Sequence, residues 1–454
     1  MKTAGRRGSL VTRAITGFAG RAASVFVRIE VRGDPIPDGP VMVVANHQNA
    51  LLDPLVVFRA AGRPTRPLGK APLFDQLLLG PMLRALGGLP VYRRQDDPQQ
   101  MHRNEETFRA AINALLAGDA LQIYPEGKSH SQPAIEPLRT GAARIALSAE
   151  AERDGRLGLQ VVPIGLTWEG KHLFRGRALA WIGKPFTIER WVTPAGADDA
   201  DAVRGLTDEI AERLRKVTLN LSAQADLDLI LAADRIYSRE RRIHAYRERD
   251  PLAARVPRLR RFAEALEWVR THEPATHAAL ASKVRRVDAA SRALGAREGA
   301  VPRRYPRGAV VRYTISEGLM LILGLPLAVL GTILWYPVWI LPRLVVPRIE
   351  MEYESVATYK FATSVFTVPA TLLAVAFGGF LVWGRWGAAL LPFAAMAIGL
   401  IALGWRERWG RVKEDAAVYF RLLDRPRLRE RLATQRTELA REFDAVLERK
   451  GAER

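Results

Sequence analysis

Two apolar runs without a charged residue lie near the end of this chain of 454 residues, and they limit its fold more than any other feature. The first extends from Phe361 to Trp383 and the second from Ala388 to Trp405, with Gly-Arg-Trp-Gly between them. A helix of roughly 20 apolar residues crosses the hydrocarbon core of a bilayer. The sequence therefore predicts a transmembrane hairpin over 361–405.

A third apolar block, from Gly318 to Leu341, contains Pro326 and Pro337. Because proline interrupts helices, we expect this block (318–341) to be re-entrant, to lie in the membrane interface, or to span as a broken helix within a membrane region over 311–405. Basic residues flank this region on both sides: Arg303, Arg304, Arg307, Arg312, Arg406, Arg408, Arg411 and Lys413. Since Lys and Arg mark the cytoplasmic side, the pattern predicts an integral membrane protein with both flanks on the cytoplasmic face, in the inner (plasma) membrane if the source is bacterial.

Upstream of the membrane region, short β-branched runs alternate with helical patterns. Apolar strand patterns occur at 41–44, 157–168 and 178–188, an extended segment at 24–35, and helical patterns near 73–86 and at 99–117 and 138–151. Alternation of strands and helices is typical of α/β folds. We therefore predict an α/β domain over 25–220, with a mixed sheet flanked by helices.

The other segments are predicted to be helical. Residues 1–24 have the pattern of an amphipathic surface helix rather than a cleaved signal peptide. Residues 221–310 form a charged helical region, and residues 406–454 an amphipathic helical tail. The expected organisation is thus an α/β domain, a helical region and C-terminal transmembrane helices.

Composition limits the partners and the chemistry. The formal net charge of +20 indicates an anionic partner. The apolar runs favour membrane phospholipid, and interspersed acidic residues with few stacking aromatics disfavour nucleic acid. The chain has no cysteine, which excludes disulfides, thiolate metal sites and a cysteinyl acyl-enzyme. Gly-Lys-Ser at 127–129 lacks the earlier glycine of a phosphate-binding loop, and the histidines of 272–277 are too far apart for a zinc helix, so no metal is expected.

The most informative polar residues follow the strand predicted at 41–44. His47 lies just beyond this strand, and Asp53 precedes Pro54 at the start of a second apolar run. Asp followed by Pro is typical of a helix start, where the carboxylate caps free N–H groups. His47 and Asp53 would point about 240° apart on one helix, so they meet only if the turn folds back. The carboxylate would then orient His47 as a general base; otherwise Asp53 is a cap and His47 an ordinary loop residue.

Three further blocks also lie at predicted strand ends. Residues 87–94 carry Arg93, whose guanidinium suits a phosphate. Residues 124–133 carry Glu126, which can accept from a hydroxyl, and Gly127, which lets a ligand approach the backbone. Residues 161–165 are expected to line a pocket. Taken singly, these residues also fit surface charges or loop positions, but their common location favours a site, together with Lys70, Lys128, Ser129 and Arg139.

Together these blocks resemble the glycerolipid acyltransferase family over about residues 25–220. The first motif of the family has four residues between His and Asp, whereas five separate His47 and Asp53 here, which resembles a long-insert subset that includes fungal-type glycerol-3-phosphate acyltransferases. The other motifs match Gly87 with Arg93, Tyr124-Pro125-Glu126-Gly127, and Val162-Pro163-Ile164. Ser129-His130 is similar to the glycerol-3-phosphate branch.

The resemblance implies transfer of a fatty acyl group from acyl-CoA or acyl-carrier protein to glycerol 3-phosphate or dihydroxyacetone phosphate in phospholipid synthesis, without a cofactor. His47, oriented by Asp53, would remove the hydroxyl proton, and backbone N–H groups at the helix start would stabilise the oxyanion. The remaining residues would bind substrate: Arg93, Lys70, Lys128 and Arg139 the phosphate, Glu126 and Gly127 the glycerol, with Ser129 in the same loop.

Three alternatives remain open at this point. The acceptor could be 1-acyl-glycerol 3-phosphate (lysophosphatidate) or another lysophospholipid. The protein could instead be an inactive, membrane-anchored lipid-binding scaffold. It could also be a basic nucleic-acid-binding protein with a membrane anchor, for which affinity would fall steeply with salt.

Overall fold

The computed structural model describes residues 10–77, 79–92, 98–132, 134–221, 224–241, 251–294, 307–349, 355–423 and 425–452. The chain divides into two compact units. The first unit comprises Met1–Gln224, Asp250–Pro257 and Glu350–Ala362, and the second comprises Ala225–Arg249, Arg258–Ile349 and Thr363–Arg454.

The first unit is built on an eight-stranded mixed sheet. Its strands are β1 (Val27–Arg32), β2 (Val41–Ala45), β3 (Thr65–Lys70), β4 (Leu89–Val91), β5 (Ala120–Ile123), β6 (Gln160–Glu169), β7 (Gly176–Ile182) and β8 (Phe186–Thr187). They lie in the order β1-β7-β6-β2-β5-β3-β4, with β8 paired to β6. Strands β2 to β6 are mutually parallel, whereas β7 is antiparallel to β6 and parallel to β1. The strands β2 to β6 therefore all end at one edge of the sheet.

Helices cover both faces of this sheet. They are α1 (Leu10–Phe26), α2 (Leu52–Ala61), α3 (Ala71–Phe74), α4 (Leu79–Ala85), α5 (Asn104–Leu116), α6 (Gly141–Ala151) and α7 (Ala200–Val217). The main core lies between the sheet and α5, α6 and α7, where Met42 and Leu121 pack with Ile145 and Leu206. Helix α1 packs against α2, which is buried along almost its whole length. The predicted α/β fold is confirmed.

Local boundaries differ from the sequence prediction at two places. The helix expected near 73–86 is divided into α3 and α4, because Pro81 favours the first turn of a new helix over the interior of a continuous one. The backbone of Gly80 packs directly against the carbonyl of Phe74 at this junction. The extended segment expected from residue 24 begins at Val27, after α1 has ended.

The remaining helices are α8 (Gln224–Arg241), α9 (Leu252–His272), α10 (Pro274–Ala293), α11 (Arg307–Leu334), α12 (Tyr336–Val345), α13 (Val356–Leu423) and α14 (Pro426–Ala452). Within the second unit, apolar side chains of α8, α9, α10 and α14 form one buried cluster, which includes Ala233, Val269, Val284 and Val446. Exposed ion pairs lie outside this cluster, for example between Lys283 of α10 and Glu442 of α14 at 2.6 Å. The charged sequence of this region is therefore the exterior of a helical bundle.

Among the residues that the structure describes, two helices are long and apolar enough to cross a membrane, namely Val310–Leu334 within α11 and the whole of α13. Helix α13 is interrupted by non-helical dihedral angles at Trp383 and Gly384. The chain reverses there, because the backbones of Gly379 and Gly387 come into direct contact on either side of the interruption. Helix α13 thus consists of two limbs that form a helical hairpin at the predicted position.

Helix α11 packs antiparallel to the second limb of α13. Tyr313 donates to Asp415 at 2.6 Å, and the indole of Trp405 donates to the carbonyl of Leu321 at 2.8 Å. Contrary to expectation, Pro326 lies inside α11 without ending it. The break falls at residue 335 instead, where Pro337 occupies the first turn of α12.

Candidate active site

The chain turns from β2 into α2 through residues 46–51, at the edge where the parallel strands end. Asn46 fixes the start of this turn, because its side-chain amide donates to the carbonyl of Leu166 at 3.0 Å and its Oδ1 accepts the Leu166 N–H at 2.6 Å. Ala50 adopts a φ of 28°, which residues with a Cβ rarely adopt. The turn is therefore tight and requires support from its surroundings.

The turn brings His47 and Asp53 together. His47 Nδ1 lies 2.8 Å from Oδ2 of Asp53, whose side chain is 0% exposed. The same oxygen accepts the N–H groups of Gln48 and Asn49, each at 2.7 Å. Because this oxygen acts as an acceptor, Nδ1 of His47 is the donor to it, and in a neutral imidazole Nε2 then keeps a lone pair. The His47 side chain is 15% exposed, so the imidazole is partly accessible.

The Asp-Pro pattern alone would indicate that Asp53 caps α2, but it does not. The N-cap residue is Leu51, and no side chain caps the helix. The carbonyl of Asn49 accepts the N–H groups of Leu52 at 2.9 Å and of Asp53 at 3.2 Å. The N–H groups of Gln48 and Asn49 donate to Asp53. These four N–H groups are therefore engaged within the turn, and stabilisation of an oxyanion by backbone N–H groups near the helix start stays a prediction.

Trp168 completes the environment of Asp53, and the sequence reasoning missed it. Its indole Nε1 donates to Oδ1 of Asp53 at 2.8 Å from near the end of β6. Both oxygens of the buried carboxylate therefore have donors. The only signal in the sequence was an indole shortly after the block at 161–165, at the end of a strand predicted to neighbour the site.

Glu126 supports the same turn from the end of β5. The residue is 3% exposed, and Oε1 of its carboxylate accepts the His47 N–H at 3.0 Å. Oε2 accepts the N–H of Glu136 at 3.2 Å and pairs with Nε2 of His130. Both oxygens thus hold the protein backbone and loop, and contact of Glu126 with a substrate hydroxyl stays a prediction.

His130 ties its loop to this carboxylate and to the turn. Its N–H donates to the carbonyl of His47 at 3.0 Å. The hydrogen bond with Glu126 raises the pKa of His130 above its ordinary value of 6.5, and the charge of Glu136 acts in the same direction against the effect of burial. The protonated form of His130 is therefore favoured by the folded loop.

Tyr124 forms the wall beside the proposed base. Its ring stacks on the imidazole of His47 with 4.1 Å between the ring centroids. Burial and the charge of Asp53 raise the pKa of the Tyr124 phenol well above its ordinary value of 10.0, so the hydroxyl remains protonated. Tyr124 is thus a neutral, buried partner that limits the positions of the imidazole.

Two basic residues lie at the loop after Glu126. Gly127 has a φ of 74°, and a Cβ at this position would lie 2.6 Å from Nε of Arg139. The guanidinium of the exposed Arg139 therefore rests directly on Gly127. Lys128 pairs with Glu136 at 2.8 Å, and Ser129 is half-buried in the same loop.

The comparison of the chain with known protein families covers this site. Residues 28–167 match the family model described as Acyltransferase. They form an acyltransferase domain. The matched residues contain nearly all of β1, the strands β2 to β5 and most of β6, and they include His47, Asp53 and the Glu126 loop. Trp168 lies just beyond the match.

Individual relatives cover parts of this chain and of their own length. An uncharacterized acyltransferase of Schizosaccharomyces pombe is 25% identical over 47% of this chain and 44% of its own. Glycerol-3-phosphate O-acyltransferase 2 of Saccharomyces cerevisiae is 33% identical over 30% of this chain and 18% of its own. Glycerol-3-phosphate O-acyltransferase 1 of the same yeast is 26% identical over 56% of this chain and 32% of its own. This chain thus spans less than half the length of these relatives.

A solved structure also aligns with the chain. It is the crystal structure of the 1-acyl-sn-glycerophosphate (LPA) acyltransferase PlsC from Thermotoga maritima. The two chains are 21% identical, and the alignment covers 45% of this chain and 77% of the other with a TM-score of 0.33.

Two further basic residues of the acyltransferase domain were predicted to bind phosphate. Lys70 is the last residue of β3 and lies in register with Val91 of β4, at the edge of the sheet that carries the turn. Arg93 lies outside the described residues, and its contact with a phosphate stays a prediction.

A lysine that the sequence reasoning missed lies beside the turn. Lys171 Nζ donates to Oγ of Ser131 at 2.6 Å and to the carbonyl of Gln48 at 3.2 Å. Its neighbour His172 has a pKa lowered from 6.5 by burial and by the charges of Lys360 and Lys171. Among the residues that the structure describes, no group of three or more His, Cys, Asp or Glu could hold a metal ion.

Proposed function

We propose that the acyltransferase domain transfers a fatty acyl group from an acyl thioester to a hydroxyl of glycerol 3-phosphate or dihydroxyacetone phosphate. The observation that carries this proposal is the hydrogen-bonded pair of His47 and Asp53 at the edge where the parallel strands end. The names of the two similar Saccharomyces cerevisiae proteins support the choice of acceptor. The thioester donor would be acyl-CoA or acyl-carrier protein.

In the proposed reaction, Nε2 of His47 removes the proton from the acceptor hydroxyl. The oxygen attacks the carbonyl carbon of the thioester and forms the new C–O bond. The C–S bond then breaks, and the leaving thiolate takes the proton from the imidazolium. Asp53 keeps its hydrogen bond with Nδ1 and stabilises the imidazolium between these steps. The reaction has no redox step and requires no cofactor.

The acceptor phosphate would bind to the basic residues around the turn. The guanidinium of Arg139 rests on Gly127, which directly follows the residue that holds the His47 backbone. Guanidinium groups suit phosphate because their N–H groups match two of its oxygens. We assign this role to Arg139, Lys128, Lys70 and Arg93, and we assign Ser129 to binding of the glycerol.

We further propose that the protein is an integral membrane protein with the acyltransferase domain on the cytoplasmic face. The support is the apolar length of α11 and α13 and the basic residues that flank them. An acylated glycerol phosphate partitions into a bilayer, so we expect membrane phospholipid to surround the product. Nucleic acid is not an expected partner.

The acceptor can be identified by direct assay of the full chain in membranes or detergent. Labelled glycerol 3-phosphate, dihydroxyacetone phosphate and lysophosphatidate are each offered with acyl-CoA or acyl-carrier protein, and the acylated products are measured. We expect the first two acceptors to be used. If only lysophosphatidate were acylated, it would replace glycerol 3-phosphate and dihydroxyacetone phosphate as the proposed acceptor. If none of the three were acylated, the protein would instead be a lipid-binding scaffold.

The proposed base is tested by His47→Ala, which should remove nearly all turnover and leave the protein folded and membrane-bound. The matched control is His102→Ala, because His102 is an exposed histidine of the same domain whose Nδ1 lies 2.9 Å from the carbonyl of Gln99 in its own short helix. A His47→Ala variant that retained more than about a hundredth of the wild-type kcat would exclude His47 as the essential base.

A further inference from the structure

The beginning of α13 is part of the same unit as the acyltransferase domain. The first unit extends to Ala362, and the chain continues directly from there into the apolar run. Thr358 is 3% exposed, and its Oγ1 accepts the N–H of Leu51 at 3.1 Å. Leu51 is the last residue of the catalytic turn before α2.

The Leu51 N–H finds its partner outside the turn. The N–H groups of Gln48 and Asn49 donate to Asp53, whereas those of Leu52 and Asp53 donate to a carbonyl within the turn. The Leu51 N–H instead donates to a residue 307 positions away. A buried N–H requires a partner, and here the partner is the Thr358 hydroxyl.

Other contacts fix the position of Thr358 in the unit. Lys360 Nζ donates to the carbonyl of His172 at 3.1 Å. The ring of Phe361 meets the ring of Phe26 edge-on, with 5.7 Å between centroids. Ala362 is buried in a cluster with Leu51. The hydroxyl is therefore presented to the turn by an anchored helix.

We propose that Thr358 is a positioning residue for the pair of His47 and Asp53. It acts through the Leu51 N–H, which fixes the end of the turn next to Ala50, where φ is 28°. The role rests on the proposed function. It also means that the first turns of the helix leading into the apolar run set the alignment of the catalytic pair.

The test compares Thr358→Val, which removes the acceptor and keeps the shape, with Thr358→Ser, which keeps the acceptor. The matched control is Thr371→Val, because the Thr371 hydroxyl donates to the carbonyl of Thr367 within its own helix. Each full-length variant is studied in detergent by amide hydrogen exchange of peptides that cover residues 48–53, and by kcat and KM for the acceptor.

We expect Thr358→Val to accelerate exchange in these peptides and to lower kcat by about 10- to 100-fold, since small misplacements of reacting groups have effects of this size. KM should change little, Thr358→Ser should restore both measurements, and Thr371→Val should behave as wild type. If the wild type is active and Thr358→Val has the same amide exchange and the same kcat as the wild type, the positioning role is overturned and the proposed function is not. A wild type without transfer to any acceptor would overturn the proposed function, whatever the exchange shows.

Discussion

The indole of Trp168 donates a hydrogen bond of 2.8 Å to Oδ1 of Asp53, across 115 positions of the sequence. The other oxygen of Asp53 accepts a hydrogen bond from Nδ1 of His47. The carboxylate is therefore held at both oxygens, by β6 on one side and by the turn on the other. Its orientation relative to the imidazole depends on the pairing of β2 with β6.

We expect Trp168→Phe to lower kcat for acyl transfer by about tenfold or more. A hydrogen bond to a charged group contributes about 1.5–3 kcal/mol, and about 1.4 kcal/mol corresponds to a factor of ten in rate. The control is Trp191→Phe, because the Trp191 ring lies under the guanidinium of Arg190 and not at Asp53. The measurement is kcat at saturating substrates, and an equal loss in both variants would contradict the role of the Trp168 indole.

Gly127→Ala should raise KM for the phosphate-bearing acceptor by about tenfold, because the new Cβ would displace the Arg139 guanidinium. Gly158→Ala is the matched control. Gly158 has a φ of 70° but has no atom within 4 Å of its added Cβ. Both substitutions carry a backbone cost of about 1–2 kcal/mol, so similar thermal stability with a KM effect only in Gly127→Ala supports the assignment. Equal KM values would contradict it.

The pairing of His130 with Glu126 predicts a pH dependence of stability. Because the pKa of His130 is raised above 6.5 in the fold, the pair stabilises the protein fully below the unfolded pKa, and the contribution is lost as pH rises through the folded pKa. His172 has a lowered pKa and acts in the opposite direction. Thermal unfolding of wild type and His130→Gln between about pH 5 and 8 isolates the first effect. The difference in Tm should shrink as pH rises, and a constant difference would refute the linkage.

The helical hairpin in α13 requires glycine where its two limbs meet. Gly387→Val should destabilise the second unit by about 1–3 kcal/mol, because the added side chain would collide with the Gly379 backbone. Gly378→Val is the control, since a Cβ at Gly378 has no neighbour within 4 Å. Thermal unfolding of both variants in detergent measures the effect. Equal Tm values would show that the limbs do not depend on this contact.

Much of the domain could be predicted because its signals are local. Apolar runs and helical periodicity identified most strands and helices of the first unit, and predicted strand ends placed His47 and Glu126 at one edge of the sheet. The predicted helix boundaries differ from the structure around Pro81 and Pro326, because a proline is compatible with either a helix start or a tolerated interior position.

By itself, the sequence determined the α/β class, the apolar helices and the chemical identity of the proposed base, because each is recorded in neighbouring residues. Only the tertiary structure decided that Trp168 and Thr358 complete the turn, at separations of 115 and 307 positions. A single donor or acceptor brought from another element has no periodicity in the sequence. Such contacts exist only once the strands and helices have packed.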